Sequence, residues 1–240
     1  MLDPLVLVPG LVCDARVFAP QINALSRDVA VQVVAPIHGD TIRDMAAAIL
    51  DQAPARFALA GHSMGGIIAM EIIRRAPERV SRLALLSTTP LPDTPAQAAW
   101  REPVIVRAQA GRLAEAVAEV VTPETLAPDE GRGERQGQVL ALLQKMAQDF
   151  GPEMFVRHQR ALQRRPDAQR SLQKLKVPTM VLCGAHDRLT PPKRHETMAE
   201  LIPSAELVVL PNAGHMPTLE APDEVTIGLK AWMQMPLELR

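Results

Sequence analysis

Phe57-Ala58-Leu59-Ala60-Gly61-His62-Ser63-Met64-Gly65-Gly66-Ile67-Ile68 decides how this chain is read. A short apolar run ends at Ala60, a serine stands between glycines, and a longer apolar pattern to Ala76 follows at helical spacing. That order is strand, tight turn, helix. Glycine on both sides removes Cβ atoms that such a turn would crowd, so the Ser63 hydroxyl is presented outward at the positive end of the helix. The plain alternative is a glycine-rich helix start with serine as its N-cap, a favoured capping residue.

Outward from this turn, short Val/Leu runs alternate with amphipathic stretches. Leu5 to Val8, Val29 to Val34, Phe57 to Ala60 and Val80 to Leu86 read as strands, with helices near Phe18 to Leu25, Ile42 to Gln52 and Ile67 to Ala76. After Ser87 strand patterns give way to helical spacing. Trp100 marks a first helix, Leu113 to Val121 a second, Val139 to Phe150 a third, and Met154, Phe155 and Leu162 a fourth. Thr122 to Gly133, rich in proline and glycine, is expected to be a mobile loop. The βα rhythm returns at Val177 to Leu182, a helix near Arg194 to Leu201, a strand Leu207 to Leu210 and a helix Glu224 to Met233. Uninterrupted Val/Leu/Ile strands suit a parallel sheet covered on both faces. The expectation is an α/β fold whose core, residues 1–88 and 176–240, carries a mostly parallel six-stranded sheet, with residues 89–175 inserted as a helical cap after the fourth strand.

A serine hydroxyl is a weak nucleophile without a base and a group to orient that base. Asp187 falls just past one later strand, in Gly184-Ala185-His186-Asp187, and His215 just past the next, in Ala213-Gly214-His215-Met216. Open α/β sheets place functional groups at those strand ends. Singly, Asp187 also reads as a turn or capping acid and His215 as a loop histidine. In the order Ser, Asp, His they make a candidate triad, with Asp93 the runner-up acid. Acyl transfer also needs N–H donors for the oxyanion. Met64, after the serine, offers one, and Leu11 in Pro9-Gly10-Leu11-Val12-Cys13 offers the other. His62 and His186 read as structural, their side chains alternating away from the neighbouring catalytic groups.

Composition narrows the rest. The 240 residues carry 26 basic and 27 acidic side chains, which gives no reason to expect nucleic acid or an anionic membrane as partner. No run approaches the ~18 apolar residues of a membrane span. The start, Asp3-Pro4, is unlike a secretory leader, so a cytoplasmic protein is expected. Cys13 and Cys183 lie in or beside apolar runs and read as buried thiols. The 6 histidines are scattered without metal-ligand spacing, and His195-Glu196 reads as the polar start of a helix; no metal or cofactor is called for. The partner expected is a small-molecule ester; monomer and homodimer are left open. Met64, Leu11, Met216, Leu189 and Trp100 are candidates for the cleft walls. His158, with Arg157 and Arg160 on its helix, is a candidate contact for a polar or anionic substrate, against the alternative of a solvated helix face.

Val8-Pro9-Gly10-Leu11, Gly61-His62-Ser63-Met64-Gly65-Gly66, Gly184-Ala185-His186-Asp187 and Gly214-His215 together resemble the α/β-hydrolase superfamily over the whole chain. Within it they resemble the small capped serine esterases of the pimeloyl-acyl-carrier-protein methyl esterase kind. The resemblance implies an acyl-enzyme mechanism on carboxylic esters without a cofactor. Two departures stand out: Pro9-Gly10 replaces the usual His-Gly of the oxyanion loop, and the chain opens on the strand that ordinarily comes third, so the sheet lacks two N-terminal strands. The same residues also fit a thioesterase, a lactonase, a carbon–carbon bond hydrolase or a cofactor-free perhydrolase. A low-turnover ligand receptor or an interaction protein is the alternative outside catalysis.

Overall fold

Residues alternate between the two faces of a strand, and each face here is buried against its own helices. The computed structural model describes residues 2–128, 134–203 and 205–237. Its strands are β1 Leu5–Val8, β2 Val31–Val33, β3 Phe57–His62, β4 Val80–Leu86, β5 Thr179–Gly184 and β6 Ala205–Leu210. They pair as one parallel sheet in the order β2-β1-β3-β4-β5-β6. Val6, Val8, Leu59, Leu83, Leu85 and Val181 face α2 (Ile42–Gln52), α3 (Met64–Arg75) and α8 (Pro192–Leu201). Leu5, Leu7, Ala58, Ala60, Leu86 and Leu182 face α1 (Ala19–Leu25) and α10 (Pro222–Gln234), which follows the short α9 (Pro217–Glu220).

Between β4 and β5 the chain makes a helical insertion: α4 Pro95–Gln109, α5 Leu113–Val120, a 3-10 turn Pro123–Thr125, α6 Glu134–Gln163 and α7 Gln169–Leu172. A capping box starts α4, the Thr94 hydroxyl accepting from Gln97 N and the Gln97 side chain accepting from Thr94 N, which satisfies two donors that a helix start leaves free. The separate helices expected on either side of residue 151 are both present and meet at Gly151, whose φ of 80° leaves the helical region. Glycine takes that angle without Cβ strain, and Pro152 restarts the helix where its missing N–H costs nothing. Val104, Ala108, Ala116, Val117, Ala147 and Phe155 form a small core of the insertion that also holds Val12, from the loop after β1.

The expected mobile loop needs correction over the part described. Residues 122–128 are anchored: Thr125 O accepts from His215 N at 2.8 Å, and Ala127 N donates to Glu220 Oε1 at 2.6 Å. Residues 129–133 of that loop lie outside the described residues. Sheet edges also shift. β2 is shorter than the β-branched run Val29 to Val34, and β3 continues through Gly61 and His62 to the edge of the turn. Among the described residues no helix is long and apolar enough to cross a membrane.

Candidate active site

The turn between β3 and α3 is crowded enough to dictate its own sequence. A Cβ on Gly61 would lie 2.3 Å from Gly65 O, and one on Gly65 would lie 2.0 Å from Val8 O, so both positions require glycine. Ser63 has φ 54° and ψ −117°, a backbone state that costs a non-glycine residue about 1–3 kcal/mol. The surroundings hold it there. Ser63 N donates to Leu86 O at 2.9 Å, and Ser63 O accepts from Gly66 N at 2.9 Å, Ile67 N at 3.2 Å and Thr88 Oγ1 at 2.7 Å.

Two later loops reach the same edge of the sheet. His215 Nε2 is 2.9 Å from Ser63 Oγ, and His215 Nδ1 lies 3.1 and 3.0 Å from the two Asp187 oxygens. The Asp187 carboxylate also accepts from Leu189 N and Thr190 N, each at 2.9 Å, and from Thr190 Oγ1 at 2.7 Å. Burial raises its pKa, but the charge and hydrogen bond of His215 and the donors of Thr190 outweigh burial and leave it at about 2. Asp187 is therefore ionised at neutral pH. It accepts the Nδ1–H of His215, which leaves Nε2 free to take the Ser63 proton.

The base loop is tied down by side chains the sequence did not flag. The buried Glu220 carboxylate accepts from Gly214 N at 3.0 Å and Met216 N at 2.8 Å, the residues on either side of His215. His62 Nε2 lies 2.8 Å from His215 O, and the two rings are 5.5 Å apart. The expectation that the His62 side chain turns away from the catalytic groups is thus corrected. Strand alternation ends at the turn, and the ring folds back beneath the base loop. His195, expected in the polar start of a helix, is fully buried and accepts Thr88 N at 3.0 Å. An acid just beyond the base and a histidine on the α8 face that meets the sheet were the available signals.

The loop after β1 approaches the turn closely: a Cβ on Gly10 would lie 3.2 Å from Ser63 Cβ. Leu11 N–H has no acceptor among the described residues. Met64 N–H is the first of α3 and has no intrahelical acceptor. Val12, at φ 42°, donates its N–H to His158 Nδ1 at 3.1 Å, and His158 Nε2 lies 2.9 Å from Pro36 O. His158 is fully buried, and burial pushes its pKa down to about 4. It therefore neither meets substrate nor sits on a solvated face, as the sequence had suggested. Both ring nitrogens are spent on backbone, and the neutral ring clamps the loop beside Ser63 to the insertion.

Ser63, His215, Leu11 and Met64 open onto a cavity of about 400 Å³, within the usual size of a small-molecule site. Met216, Leu189 and Trp100 line it as well; Trp100 is 44% exposed and Leu189 37%, so both stand at the rim. The insertion contributes walls that had not been singled out: Val117, Val120, Val121, Leu143 and Leu162. Asp93, the runner-up acid, is 2.5 Å from both Arg101 Nε and Arg165 Nη1, and its carboxylate is occupied there rather than at His215. Cys13 and Cys183 are free and buried, and burial drives both thiols up to about 12, which leaves them inert as nucleophiles.

Residues 5–226 match the alpha/beta hydrolase family. The chain belongs to that family, and it is an enzyme of the ester-hydrolysing type. It is 28% identical to a pimeloyl-[acyl-carrier protein] methyl ester esterase of Nitrosomonas europaea, over 92% of this chain and 91% of that one. Among solved structures it is similar to a thermophilic esterase from Thermogutta terrifontis, at TM-score 0.85, 28% identity, 97% coverage of this chain and 89% of the other. It is similar also to the enol-lactonase from Burkholderia xenovorans, at TM-score 0.84, 25% identity, 97% and 92% coverage.

Proposed function

We propose that the protein cleaves carboxylic esters of small molecules through an acyl-enzyme on Ser63. The observation that carries this is the continuous relay from Ser63 Oγ through His215 to Asp187, with contacts of 2.9 and 3.0 Å, on a serine held in a strained turn. His215 Nε2 takes the hydroxyl proton as Ser63 Oγ attacks the ester carbonyl. The imidazolium then gives that proton to the leaving alcohol. A water, deprotonated by the same nitrogen, attacks the acyl-enzyme, and the carboxylic acid and free Ser63 result. Asp187 holds the Nδ1–H tautomer and offsets the charge on the ring.

The N–H groups of Leu11 and Met64 are the donors for the oxyanion, and each such donor contributes on the order of 3 kcal/mol to the transition state. The apolar walls from the insertion favour short to medium acyl chains. Methyl and p-nitrophenyl esters of increasing chain length, followed by stopped-flow for an acyl-enzyme burst, test the reading. Steady turnover after the burst supports hydrolysis; a single turnover followed by arrest would identify a receptor, and preference for thioesters or lactones would redirect the substrate class.

A further inference from the structure

Charge on the cavity wall departs from charge on the whole chain. The 240 residues are nearly balanced, at net −1. Yet the ionised side chains that line the cavity are Arg101, Arg165, Arg188 and Arg194, with Asp93 as the lone carboxylate among the described wall residues. Asp93 cannot neutralise this set. Its side chain is 1% exposed and lies between two guanidiniums, that of Arg101, 13% exposed, and that of Arg165, 5% exposed. The buried triplet therefore carries one positive charge in excess.

Arg165 is the most telling member. Its Nε donates to Leu91 O at 2.8 Å and its Nη1 meets Asp93, whereas Nη2 has no acceptor among the described residues although the residue is only 7% exposed. Burial, with Arg101 and Arg194 as nearby like charges, lowers its pKa to about 10 in spite of Asp93. Arg194 also lines the cavity, and its guanidinium has no acid partner among the described residues. It stands in the first turn of α8, where the helix dipole disfavours a cation. Guanidiniums in excess over the one buried carboxylate between them are costly unless something anionic completes the set. Arginine forks match carboxylates in geometry.

We propose that this arginine-lined end of the cavity binds a carboxylate, so that the preferred substrates are esters that carry a free carboxylate, the half-esters of dicarboxylic acids. The inference rests on ester cleavage at Ser63. The ester lies at Ser63 and the anion at Arg101, Arg165 and Arg194. Ser63 and all three arginines line the same cavity, and the length of dicarboxylate that spans them is what the chain-length series below reads.

The test compares kcat/KM for monomethyl and dimethyl esters of succinic to suberic acid, by pH-stat at neutral pH where the free carboxyl is ionised. At the best length the half-ester should be favoured at least tenfold, mainly through KM, and Arg194→Gln should shrink that ratio about tenfold. Diesters cleaved as well as half-esters at every length would overturn the carboxylate site while leaving ester hydrolysis standing. Calorimetry on Ser63→Ala protein checks the site without turnover: monomethyl glutarate should bind at least tenfold tighter than dimethyl glutarate, and equal affinity would overturn the proposal even if no ester were cleaved.

Discussion

The loops at the carboxyl ends of β3, β5 and β6 and the helices inserted between β4 and β5 enclose one cavity by different means. In the loops the functional residues are fixed largely through main-chain groups: Ser63 by three backbone contacts and the Thr88 hydroxyl, Asp187 by two amides, and His215 by its own amide to Thr125 O and by flanking amides that end on the Glu220 carboxylate. The insertion supplies side chains to the cavity, apolar residues together with Arg101 and Arg165. Loops of the first kind preorganise charge, which is what acyl transfer requires. Walls of the second kind can be changed residue by residue without disturbing the reacting atoms. On the proposed function the reacting atoms belong to the loops, while much of the wall that selects the substrate belongs to the insertion, with Arg194 of α8 added from the core.

The sharpest way to break that separation is to remove the nucleophile. Ser63→Ala should lower kcat on methyl esters by roughly 10⁴–10⁶-fold and leave the thermal midpoint unchanged within a few degrees. Residual turnover within tenfold of wild type would place the reaction elsewhere in the cavity. Asp187→Asn comes next, with a loss of about 10⁴-fold because the amide favours the wrong His215 tautomer. A larger loss from Asp93→Asn would move the acid into the insertion. Asp187 also sets an acid limb of stability. Its folded pKa, about 2, lies below the 3.8 of an ordinary aspartate, so its contribution is present above pH 4 and is lost as pH falls towards 2. The amount is on the order of 2 kcal/mol, read as the difference in acid unfolding between wild type and Asp187→Asn.

The first kind of region was legible in the sequence because its constraints are local. Gly61-His62-Ser63-Met64-Gly65 must turn between a strand and a helix, and Asp187 and His215 each follow a strand directly. Helix-face walls were not legible in the same way. Period alone placed Leu113 to Val121 and Met154 to Leu162 on helices, but which face meets the cavity depends on how α5 and α6 lie against the loop after β1. Trp100 and Leu189 are among the wall candidates that the sequence offers, whereas the long-range clamps are not. His158 to Val12 and Glu220 to Ala127 join residues far apart in the chain, and no spacing rule foretells such pairs.

His158 is where the two regions are bolted together, and breaking it gives a middle-sized effect. His158→Leu leaves Val12 N–H and Pro36 O buried without partners, which should cost about 1–3 kcal/mol of stability. Because Val12 adjoins Leu11, kcat should also fall, by about tenfold, with KM little changed. His158→Asn puts an acceptor near the place of Nδ1 and should recover more of kcat than His158→Gln, which restores only the donor to Pro36. Loss of stability with unchanged kcat in all three would mean that the insertion merely covers the site.

The smallest effect sharpens the comparison most finely. Glu220 holds Gly214 and Met216 with one oxygen and Ala127 of the insertion with the other. Burial raises its pKa despite those three donors, so the folded state resists its charge as pH rises. Glu220→Gln removes that charge and keeps one accepting oxygen, while its amide group now faces an N–H it cannot satisfy. The gain from avoided desolvation and the loss of one hydrogen bond are of similar size. The thermal midpoint at pH 7 should therefore shift by only a few degrees, with kcat reduced about two- to threefold as the base loop loosens. A drop in kcat beyond a hundredfold would make the Glu220 charge part of the catalytic electrostatics, and the loops would then owe their preorganisation to a buried ion as much as to backbone.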